Sequence, residues 1–425
     1  MYRQGGDLVL GRETGSKSLF LGYRCLQCGS LSPLGTKCCR CGGRLLLAEY
    51  KLESFEDFCS GEPGVWRFLP LLPPLDRRLS RGEGGTPLLP SRRWSSRLGI
   101  ELFFKDESMN PSGSFKDRGV AVMMSALNPA TDETVVMMSS GNAASSVALY
   151  AALAGVHAIV LMYQGGTREK AFMTRVYGAT VFAVQAEREA EVLSLAEEIA
   201  VKMKWPLMNT VAAGNPLILE GYKTLAYEIV GEIGDVDAVV VPVGSGTLLS
   251  GIWKGFKELY QLGRIRKAPK LIGVQPVGSC PIVKAFQKGL SEVPKLPGSP
   301  RTVATALTLD DPGESGALAL RAVQESEGGL IAVDDEAILE VCRSLASEET
   351  IVAEPAGAAG AAGLAKALDE GLIQPGERVI CVITGHGLKD IKPVEQLIPP
   401  MVNINPRLSD FKEKYGDVFG ELNGC

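Results

Sequence analysis

The apolar residues of this chain form short runs that alternate with longer stretches rich in alanine and leucine. The runs hold mostly valine, isoleucine and phenylalanine without polar alternation, which predicts strands buried on both faces. They lie at residues 100–105, 134–138, 158–162, 238–243, 271–274 and 379–383. The stretches between them predict helices at residues 143–154, 186–204, 217–230, 248–262, 335–347 and 356–369. Strands alternating with helices predict an α/β fold with a mainly parallel sheet.

Composition and charge narrow the class of protein. The 425 residues carry a net charge of −5, and we expect no nucleic-acid partner because nucleic-acid-binding proteins usually have a basic excess. No apolar run reaches the ~20 residues that cross a bilayer, so we expect no membrane partner. Residues 1–16 show no basic region followed by an apolar one, so we expect a cytoplasmic protein without a signal peptide.

In sheets of this kind ligands bind at the turns that follow the strands, and the turn over residues 110–119 carries a candidate nucleophile. Its proline and glycine predict a turn, and Ser114 is a candidate cap for the helix that follows. Lys116 falls in the first helical turn, where the helix dipole lowers the pKa of an amine and favours the neutral nucleophile. We expect the neighbouring Asp117 and Arg118 to pair with each other. A solvated lysine in a charged turn is the alternative interpretation.

Three further turns also follow predicted strands. Residues 139–146 (SSGNAASS) begin a helix whose free N–H groups suit a carboxylate or phosphate, or form an ordinary N-cap without a ligand. Residues 244–251 (GSGTLLSG) are small enough for backbone N–H groups to close on a phosphate, and a glycine-rich turn without a ligand is the alternative. Residues 384–390 (TGHGLKD) place Thr384 at the same sheet edge, with His386 interpreted as structural.

Five of the ten cysteines lie close together near the N-terminus. Two C-x2-C pairs are formed by Cys25, Cys28, Cys38 and Cys41. This spacing is typical of tetrahedral zinc, and a cytosolic context favours a metal over disulfides. We therefore predict a structural Zn²⁺ held by these four thiolates, with Cys39 as a spare thiol or an alternative ligand. A metal-free knuckle is the alternative interpretation.

Several segments together resemble the threonine synthases, a family of fold-type II pyridoxal-phosphate (PLP) enzymes. The turn sequence PSGSFKDRG is similar to the motif around the PLP-binding lysine of that family. Further segments resemble it in the same order: GEGGTPL (82–88), EGYKT (220–224), VPVGSGTLLSGIWKGF (241–256), EPA (354–356) and TGHGLKD (384–390). The resemblance covers about residues 82–393. It implies two open, twisted, mainly parallel sheets with flanking helices, plus a small N-terminal cysteine-rich ribbon.

The resemblance also implies a division into domains. An N-terminal extension over residues 1–80 contains ribbon-like knuckles at about 23–48. Residues 81–118 and 215–395 form a large PLP-binding domain, and residues 119–214 form a smaller domain on the substrate side. Residues 396–425 form a C-terminal tail.

By similarity, Lys116 would bind PLP covalently and act as the general acid and base. Asn142 would hydrogen-bond the ring oxygen, and Thr384 would meet the pyridine nitrogen. The cofactor phosphate would lie in a cradle formed by Gly244, Ser245, Gly246, Thr247 and Leu248. The substrate would bind at Ser140, Ala143, Asn209 and Thr210. The implied reaction converts the amino-acid phosphate O-phospho-L-homoserine and water to L-threonine and phosphate, in a homodimer.

Two positions depart from the family pattern. Ile218 and Thr308 stand where arginine is usual, and losing a charge-assisted partner of the substrate phosphate is not a neutral change. Nearby cations that are candidates to replace the lost charge are Arg168, Lys170 and Arg175. The departures keep open a related PLP β-replacement or lyase enzyme, such as a cysteate synthase using O-phosphoserine and sulfite, or a serine/threonine dehydratase. A PLP-binding regulator without turnover is a third alternative.

Overall fold

The computed structural model describes residues 18–52, 59–128, 130–163, 166–298 and 300–422, with side chains in its last helix through residue 415. The prediction that residues 1–16 hold no signal peptide therefore lies outside the described residues. Within the described ranges, no helix combines the length and the apolar character that crossing a bilayer requires.

Twelve strands form in the described residues. In chain order they are β1 (Phe20–Cys25), β2 (Leu31–Ser32), β3 (Leu46–Tyr50), β4 (Leu88–Pro90), β5 (Glu101–Asp106), β6 (Thr134–Met138), β7 (His157–Tyr163), β8 (Thr180–Val184), β9 (Ala238–Pro242), β10 (Lys270–Pro276), β11 (Gly329–Val333) and β12 (Arg378–Ile383).

Fourteen α-helices form in the same part of the chain. They are α1 (Trp94–Leu98), α2 (Lys116–Ser125), α3 (Asn142–Ala154), α4 (Arg168–Val176), α5 (Glu189–Met203), α6 (Leu217–Ile233), α7 (Thr247–Gln261), α8 (Pro281–Gln287), α9 (Gly313–Glu325), α10 (Asp335–Ser344), α11 (Pro355–Ala362), α12 (Leu364–Asp369), α13 (Lys392–Glu395) and α14 (Leu408–Leu422). Short 3₁₀ segments lie at Gly64–Leu71, Glu107–Met109, Val277–Ser279, Thr305–Leu307 and Gly387–Lys389, and a π turn lies at Leu345–Glu349.

The strands form three sheets. The largest has the order β11-β10-β9-β12-β5-β4 and is parallel except for β4, and the second, β6-β7-β8, is parallel throughout. The third, β2-β1-β3, is a small antiparallel ribbon that carries the clustered cysteines. The predicted fold class, α/β with two mainly parallel sheets and an N-terminal ribbon, is confirmed.

The central strands explain why the sequence shows no polar alternation. In β9, Val239 and Val241 pack into one hydrophobic cluster, whereas Ala238 and Val240 pack into another on the opposite face of the sheet. Helices therefore cover both faces of the large sheet, and both sets of alternating positions must be apolar. Strands β4 and β8 lie at sheet edges, are mostly exposed and lack such a buried apolar run, so the sequence pattern did not predict them. Strand β11 is apolar and mostly buried, but it was not among the predicted strands.

Two glycines, Gly221 and Gly255, form what we call the glycine seam. A Cβ at Gly221 would lie 2.1 Å from the carbonyl oxygen of Arg118, and one at Gly255 would lie 2.4 Å from that of Lys223. Helix α6 is therefore in direct backbone contact with α2 on one side and with α7 on the other. Because α2 begins at Lys116, this packing fixes the position of the candidate nucleophile.

Candidate active site

Lys116 is the first residue of α2, in the connection that leaves β5. Its Nζ lies 4.9 Å from the ring centre of Phe115 and 5.9 Å from that of Tyr222. Burial lowers the pKa of the Lys116 amine to about 8. The direction agrees with the sequence prediction, but the cause is desolvation rather than the helix dipole. The shift increases the neutral, nucleophilic fraction of the amine near physiological pH.

Buried hydrogen bonds hold the turn before Lys116. The carboxylate of Asp117 accepts from the amide and the hydroxyl of Ser112 and from the hydroxyl of Ser146, each at 2.6 Å. The Nζ of Lys389 donates to the Ser112 carbonyl at 2.5 Å. Gly113 adopts φ of +81°, which favours glycine. The turn is thus fixed by side chains from α2, α3 and the segment after β12.

Two predictions about this turn are wrong. Ser114 does not cap α2, because Phe115 occupies the N-cap position, and the buried Oγ of Ser114 has no hydrogen-bond partner among the described residues. Asp117 and Arg118 do not pair, because consecutive helical residues point about 100° apart. Asp117 faces the preceding turn, whereas Arg118 faces two distant glutamates.

Arg118 is the centre of a buried set of charges, the Arg118 cluster, which consists of Arg118, Lys105, Glu107 and Glu228. Arg118 donates to both carboxylate oxygens of Glu107 (2.6 and 2.7 Å), to both of Glu228 (2.7 Å each), and to two threonine hydroxyls at 3.1 Å. All five N–H donors of the guanidinium can therefore be satisfied. Burial opposes ionisation, but Arg118 and Lys105 hold the pKa of Glu228 well below its usual range.

The segment after β12 lies directly against the turn of Lys116. The amide of Phe115 donates to the carbonyl of Thr384 at 3.1 Å. Thr384 is buried, and its hydroxyl makes a long hydrogen bond of 3.5 Å to the carbonyl of Ala356. The Nδ1 of His386 accepts from a backbone amide two residues on at 3.2 Å, which is the geometry of a structural histidine. Strand pairing thus brings Thr384 and Lys116 to one sheet edge.

Residues 244–248 form the loop between β9 and α7, which we call the glycine loop. Helix α7 begins at Thr247, with Gly246 at its N-cap in a left-handed conformation of φ +86°. No described side chain caps this helix, so its first N–H groups remain available to an anion. The Thr247 hydroxyl accepts from the amide of Ala212 at 3.2 Å and lies 3.0 Å from the hydroxyl of Ser245.

Asn142 is buried at the start of α3, in the turn that leaves β6. Its Nδ2 donates to Glu354 Oε1 at 2.5 Å, while its Oδ1 has no hydrogen-bond partner within the described residues. The hydroxyl of Ser140 donates to the carbonyl of Tyr163 at 3.1 Å. The first N–H groups of α3, including that of Ala143, precede any intrahelical acceptor and suit a carboxylate.

Glu354 also belongs to a second buried set of charges, the Lys170 cluster, which consists of Lys170, Lys389, Glu354 and Asp390. The Nζ of Lys170 lies 3.1 Å from Glu354 Oε2 and 3.7 Å from Asp390 Oδ2. Lys170 Nζ and Glu354 Oε2 make no well-formed hydrogen bond with any described residue. Burial raises the pKa of Asp390 and lowers that of Lys389. No role is predicted for Glu354 from the sequence, although an acidic residue directly before the Ala- and Gly-rich α11 is a recognisable signal.

The predicted substrate residues Asn209 and Thr210 lie in the segment that leads to α6. The side chain of Asn209 accepts from an amide of its own loop at 3.0 Å and occupies the space beside Gly214. Thr210 is half-buried. The amide of Ala212, which donates to Thr247, places this segment against the glycine loop.

The two departures from the family pattern have different surroundings. Ile218 is fully buried on α6, facing α2, whereas Thr308 is half-buried in a segment that lies against the glycine loop. Of the three candidate replacement cations, Arg168 and Arg175 are exposed on α4, and Lys170 is buried beside Asn142's partner Glu354.

In the cysteine cluster, Cys39, the predicted alternative ligand, takes the place predicted for Cys38. The structure gathers the sulfurs of Cys25, Cys28, Cys39 and Cys41 within 4.8 Å of one another. Cys38 is exposed and its Sγ contacts the Cys39 carbonyl at 3.5 Å, because neighbouring residues in this turn direct their side chains differently. The pairs Cys25–Cys41 and Cys28–Cys39 are each 3.6 Å apart, close to the ~3.8 Å expected between thiolates on a tetrahedral zinc.

Comparison with known proteins agrees with this geometry. Residues 79–385 match a family model described as pyridoxal-phosphate dependent enzyme. The chain is 40% identical over 382 residues to a threonine synthase of Methanocaldococcus jannaschii, covering 86% of this chain and 92% of that protein. It is 36% identical over 397 residues to a threonine synthase of Methanosarcina acetivorans, covering 90% and 96%.

The fold resembles that of the processed form of threonine deaminase isoform 2 from Solanum lycopersicum. The TM-score is 0.63 at 25% identity, and the match covers 74% of this chain and 88% of that one. This likeness agrees with the α/β fold and its parallel sheets. The chain belongs to the threonine synthase family of PLP-dependent enzymes.

Proposed function

We propose that this protein converts O-phospho-L-homoserine and water to L-threonine and phosphate, with PLP bound to Lys116. One observation carries the proposal: a desolvated amine lies where the turns after two parallel strands meet. The sequence identity of this chain to threonine synthases extends over most of its length and supports the choice of reaction.

The residues around Lys116 fit PLP. Asn142 would donate to the ring oxygen through the second N–H of its Nδ2, since the first is given to Glu354. The uncapped start of α7 would hold the cofactor phosphate with the amides of the glycine loop. The Thr384 hydroxyl, with its 3.5 Å hydrogen bond, would meet the pyridine nitrogen. Buried polar groups without partners are costly, so a ligand that satisfies them is favoured.

The protein's own groups supply the acid–base steps. Bound PLP withdraws electrons from the substrate and makes its Cα proton acidic. The Nζ of Lys116 would take this proton and later return one to Cα, and a pKa of about 8 suits both directions. The uncharged hydroxyl of Thr384 would leave the pyridine nitrogen largely unprotonated, which would favour elimination and replacement at the substrate side chain.

The substrate would be held at three places. Its α-carboxylate would meet the free N–H groups at the start of α3, beside Ser140 and Ala143. Asn209 and Thr210 would contact its side chain, next to the glycine loop. Of the three candidate cations, Lys170 is the best placed to attract the substrate phosphate. It is buried, and its partner Glu354 also accepts a hydrogen bond from Asn142.

A second candidate function follows from Ile218. Its buried aliphatic side chain puts no charge on the α6 surface that faces α2. This favours a substrate without a phosphate ester, as in a serine/threonine dehydratase. A related β-replacement enzyme that uses O-phosphoserine and sulfite stays a further alternative.

A parallel product assay tests these functions. The holoenzyme is incubated with phosphohomoserine, with phosphoserine plus sulfite, and with threonine, and the products are identified. We expect threonine and phosphate in equal amounts from the first mixture, and loss of both activity and cofactor absorbance in Lys116→Ala. Phosphate release without threonine would exclude the proposed reaction, and cysteate or 2-oxobutyrate would support the alternatives.

We further propose a structural zinc ion in the ribbon, held by Cys25, Cys28, Cys39 and Cys41. Four thiolates leave no open coordination position, so the ion would stabilise the ribbon rather than act on substrate. We propose a cytoplasmic location, because the cytoplasm keeps thiols reduced and so available to bind a metal.

We also propose a homodimer. The support is a groove of about 710 Å³ with apolar walls formed by Met109, Leu149, Leu153 and Tyr177, of which Met109 is largely exposed. Exposed apolar surface of this kind often marks a protein interface. Light scattering of the purified protein would give twice the chain mass if the proposal is right.

A further inference from the structure

Tyr222 carries a polar group that neither the fold nor the proposed cofactor contacts use. The residue is fully buried on α6, and its hydroxyl has no hydrogen-bond partner in the described part of the chain. Its ring centre lies 5.9 Å from Lys116 Nζ and 5.0 Å from the ring centre of Phe115. An orphan hydroxyl therefore belongs to a side chain that lines the surroundings of the reactive amine.

The Tyr222 hydroxyl is a permanent hydrogen-bond donor. Burial, and then the negative charge of Asp117, raises the pKa of Tyr222 well above its usual value, so the proton stays in place at physiological pH. A buried O–H without an acceptor is unfavourable in the free protein. Phenylalanine would fill the same space without that cost, so the hydroxyl suits a partner other than the residues that the structure describes.

The surroundings of Tyr222 indicate what this partner is. Ile218 lies one helical turn earlier, and a Cβ at Gly119 would meet Ile218 at 2.6 Å and the Tyr222 ring at 2.7 Å. Phe115 and Tyr222 thus form an otherwise apolar wall beside Lys116, and Ile218 adjoins Tyr222 where both pack against α2. The Tyr222 hydroxyl is the single polar group among these three side chains.

We propose that Tyr222 is a specificity-determining residue whose hydroxyl donates a hydrogen bond to the phosphate of the substrate. This inference rests on the proposed function, in which a substrate bound at Lys116 carries a phosphate ester on its side chain. A neutral donor in an apolar wall binds one phosphate oxygen without the strong, general attraction of an arginine. Selectivity then depends on the length of the substrate side chain that brings the oxygen to the hydroxyl.

The test compares Tyr222→Phe with Tyr227→Phe in the holoenzyme. Tyr227 is a matched control because it is also buried on α6, but its hydroxyl donates to the Glu258 carboxylate. We expect Tyr222→Phe to keep its cofactor absorbance and its resistance to denaturant, while kcat/KM for phosphohomoserine falls about 10- to 100-fold. Tyr227→Phe should show the reverse pattern, with lower stability and nearly unchanged kcat/KM.

A titration with inorganic phosphate separates this inference from the proposed reaction, since it needs no turnover. Phosphate should perturb the cofactor absorbance of the wild type, and the midpoint should rise at least tenfold in Tyr222→Phe. An unchanged midpoint, or no phosphate binding by the wild type, would overturn the role of Tyr222 even if threonine forms. A loss of stability in Tyr222→Phe equal to that in Tyr227→Phe would instead assign the hydroxyl a structural role. A wild type that makes no threonine, but whose phosphate midpoint depends on Tyr222, would refute the reaction alone.

Discussion

The Arg118 cluster and the Lys170 cluster are both buried and each contains two cations and two carboxylates, yet they differ in hydrogen bonding. Every N–H donor of Arg118 has an acceptor among the two glutamates of the first cluster and the hydroxyls of Thr86 and Thr224. In the second, Lys170 and Glu354 touch without a well-formed hydrogen bond, and the adjacent Asn142 Oδ1 has no described partner. Complete satisfaction indicates a role in stability, whereas unmet polar atoms indicate a place for a ligand.

Removing Arg118, the central cation of the Arg118 cluster, should have the largest effect on stability. Arg118→Leu leaves two buried glutamates with Lys105 alone, and we expect the free energy of unfolding to fall by about 3–5 kcal/mol. Chemical denaturation measures this loss. Arg378→Leu is the control, because its partner Glu101 is half-exposed, and it should cost about 0–1 kcal/mol. Equal losses in the two variants would show that the Arg118 cluster contributes no more to stability than an exposed ion pair.

A change in the Lys170 cluster should affect activity more than stability. Glu354→Gln keeps an acceptor for Asn142 Nδ2 but removes the charge beside Lys170. We expect kcat/KM to fall about 10- to 100-fold, as for other residues that orient a ligand-binding group, with a change of about 1 kcal/mol or less in unfolding. Glu107→Gln in the Arg118 cluster should instead lower stability more than it lowers kcat/KM. If Glu354→Gln lost stability and kept its rate, the Lys170 cluster would be structural as well.

Lys116 differs from both clusters because burial alone, without a carboxylate, determines its pKa. The folded-state pKa is lowered from the usual 10.5 to about 8, so the neutral amine is gained as pH rises toward 8. The rate at which the apoenzyme binds PLP should therefore rise about tenfold per pH unit below 8 and level off above it. Stopped-flow absorbance measures this profile. A rate that kept rising to pH 10 would show an ordinary, solvated lysine.

The ribbon offers a third cluster, in which thiolates would be neutralised by a metal rather than by cations of the chain. Cys39→Ser should release zinc, whereas Cys38→Ser should keep one zinc per chain, because Cys38 lies outside the group of four sulfurs. A colorimetric zinc assay distinguishes the two variants. Activity should change least here, about twofold or less, because a closed four-thiolate site contacts no substrate. Equal zinc loss in both variants would contradict the ligand set.

Local sequence patterns were sufficient for the fold class and for the turns at the sheet edge. The bounds of β6 agree with the prediction, and α3 and α7 begin one residue before their predicted starts. The predicted helix at 356–369 is instead two helices, α11 and α12, that divide at Gly363, where glycine weakens the helix. The domain boundaries and the roles of the individual site residues stay predictions.

Contacts between residues that lie far apart in the chain could not be predicted from the sequence. Asn142 meets Glu354 across 212 positions, and Arg118 meets Glu228 across 110. A sequence suggests ion pairs between neighbouring residues, and for this reason the predicted partner of Arg118 was Asp117. Tyr222 was missed for a related reason, since a tyrosine on a buried helix is expected to be core, and its unmet hydroxyl is visible only in three dimensions.

The glycine seam has a consequence for how the protein can move and be redesigned. With Gly221 against the Arg118 carbonyl and Gly255 against that of Lys223, helices α2, α6 and α7 cannot slide without a steric clash. Laboratory evolution toward new substrates should accordingly vary Ile218, Tyr222 and Thr308 and leave both glycines untouched, because even a methyl group there would displace the nucleophile for every substrate alike.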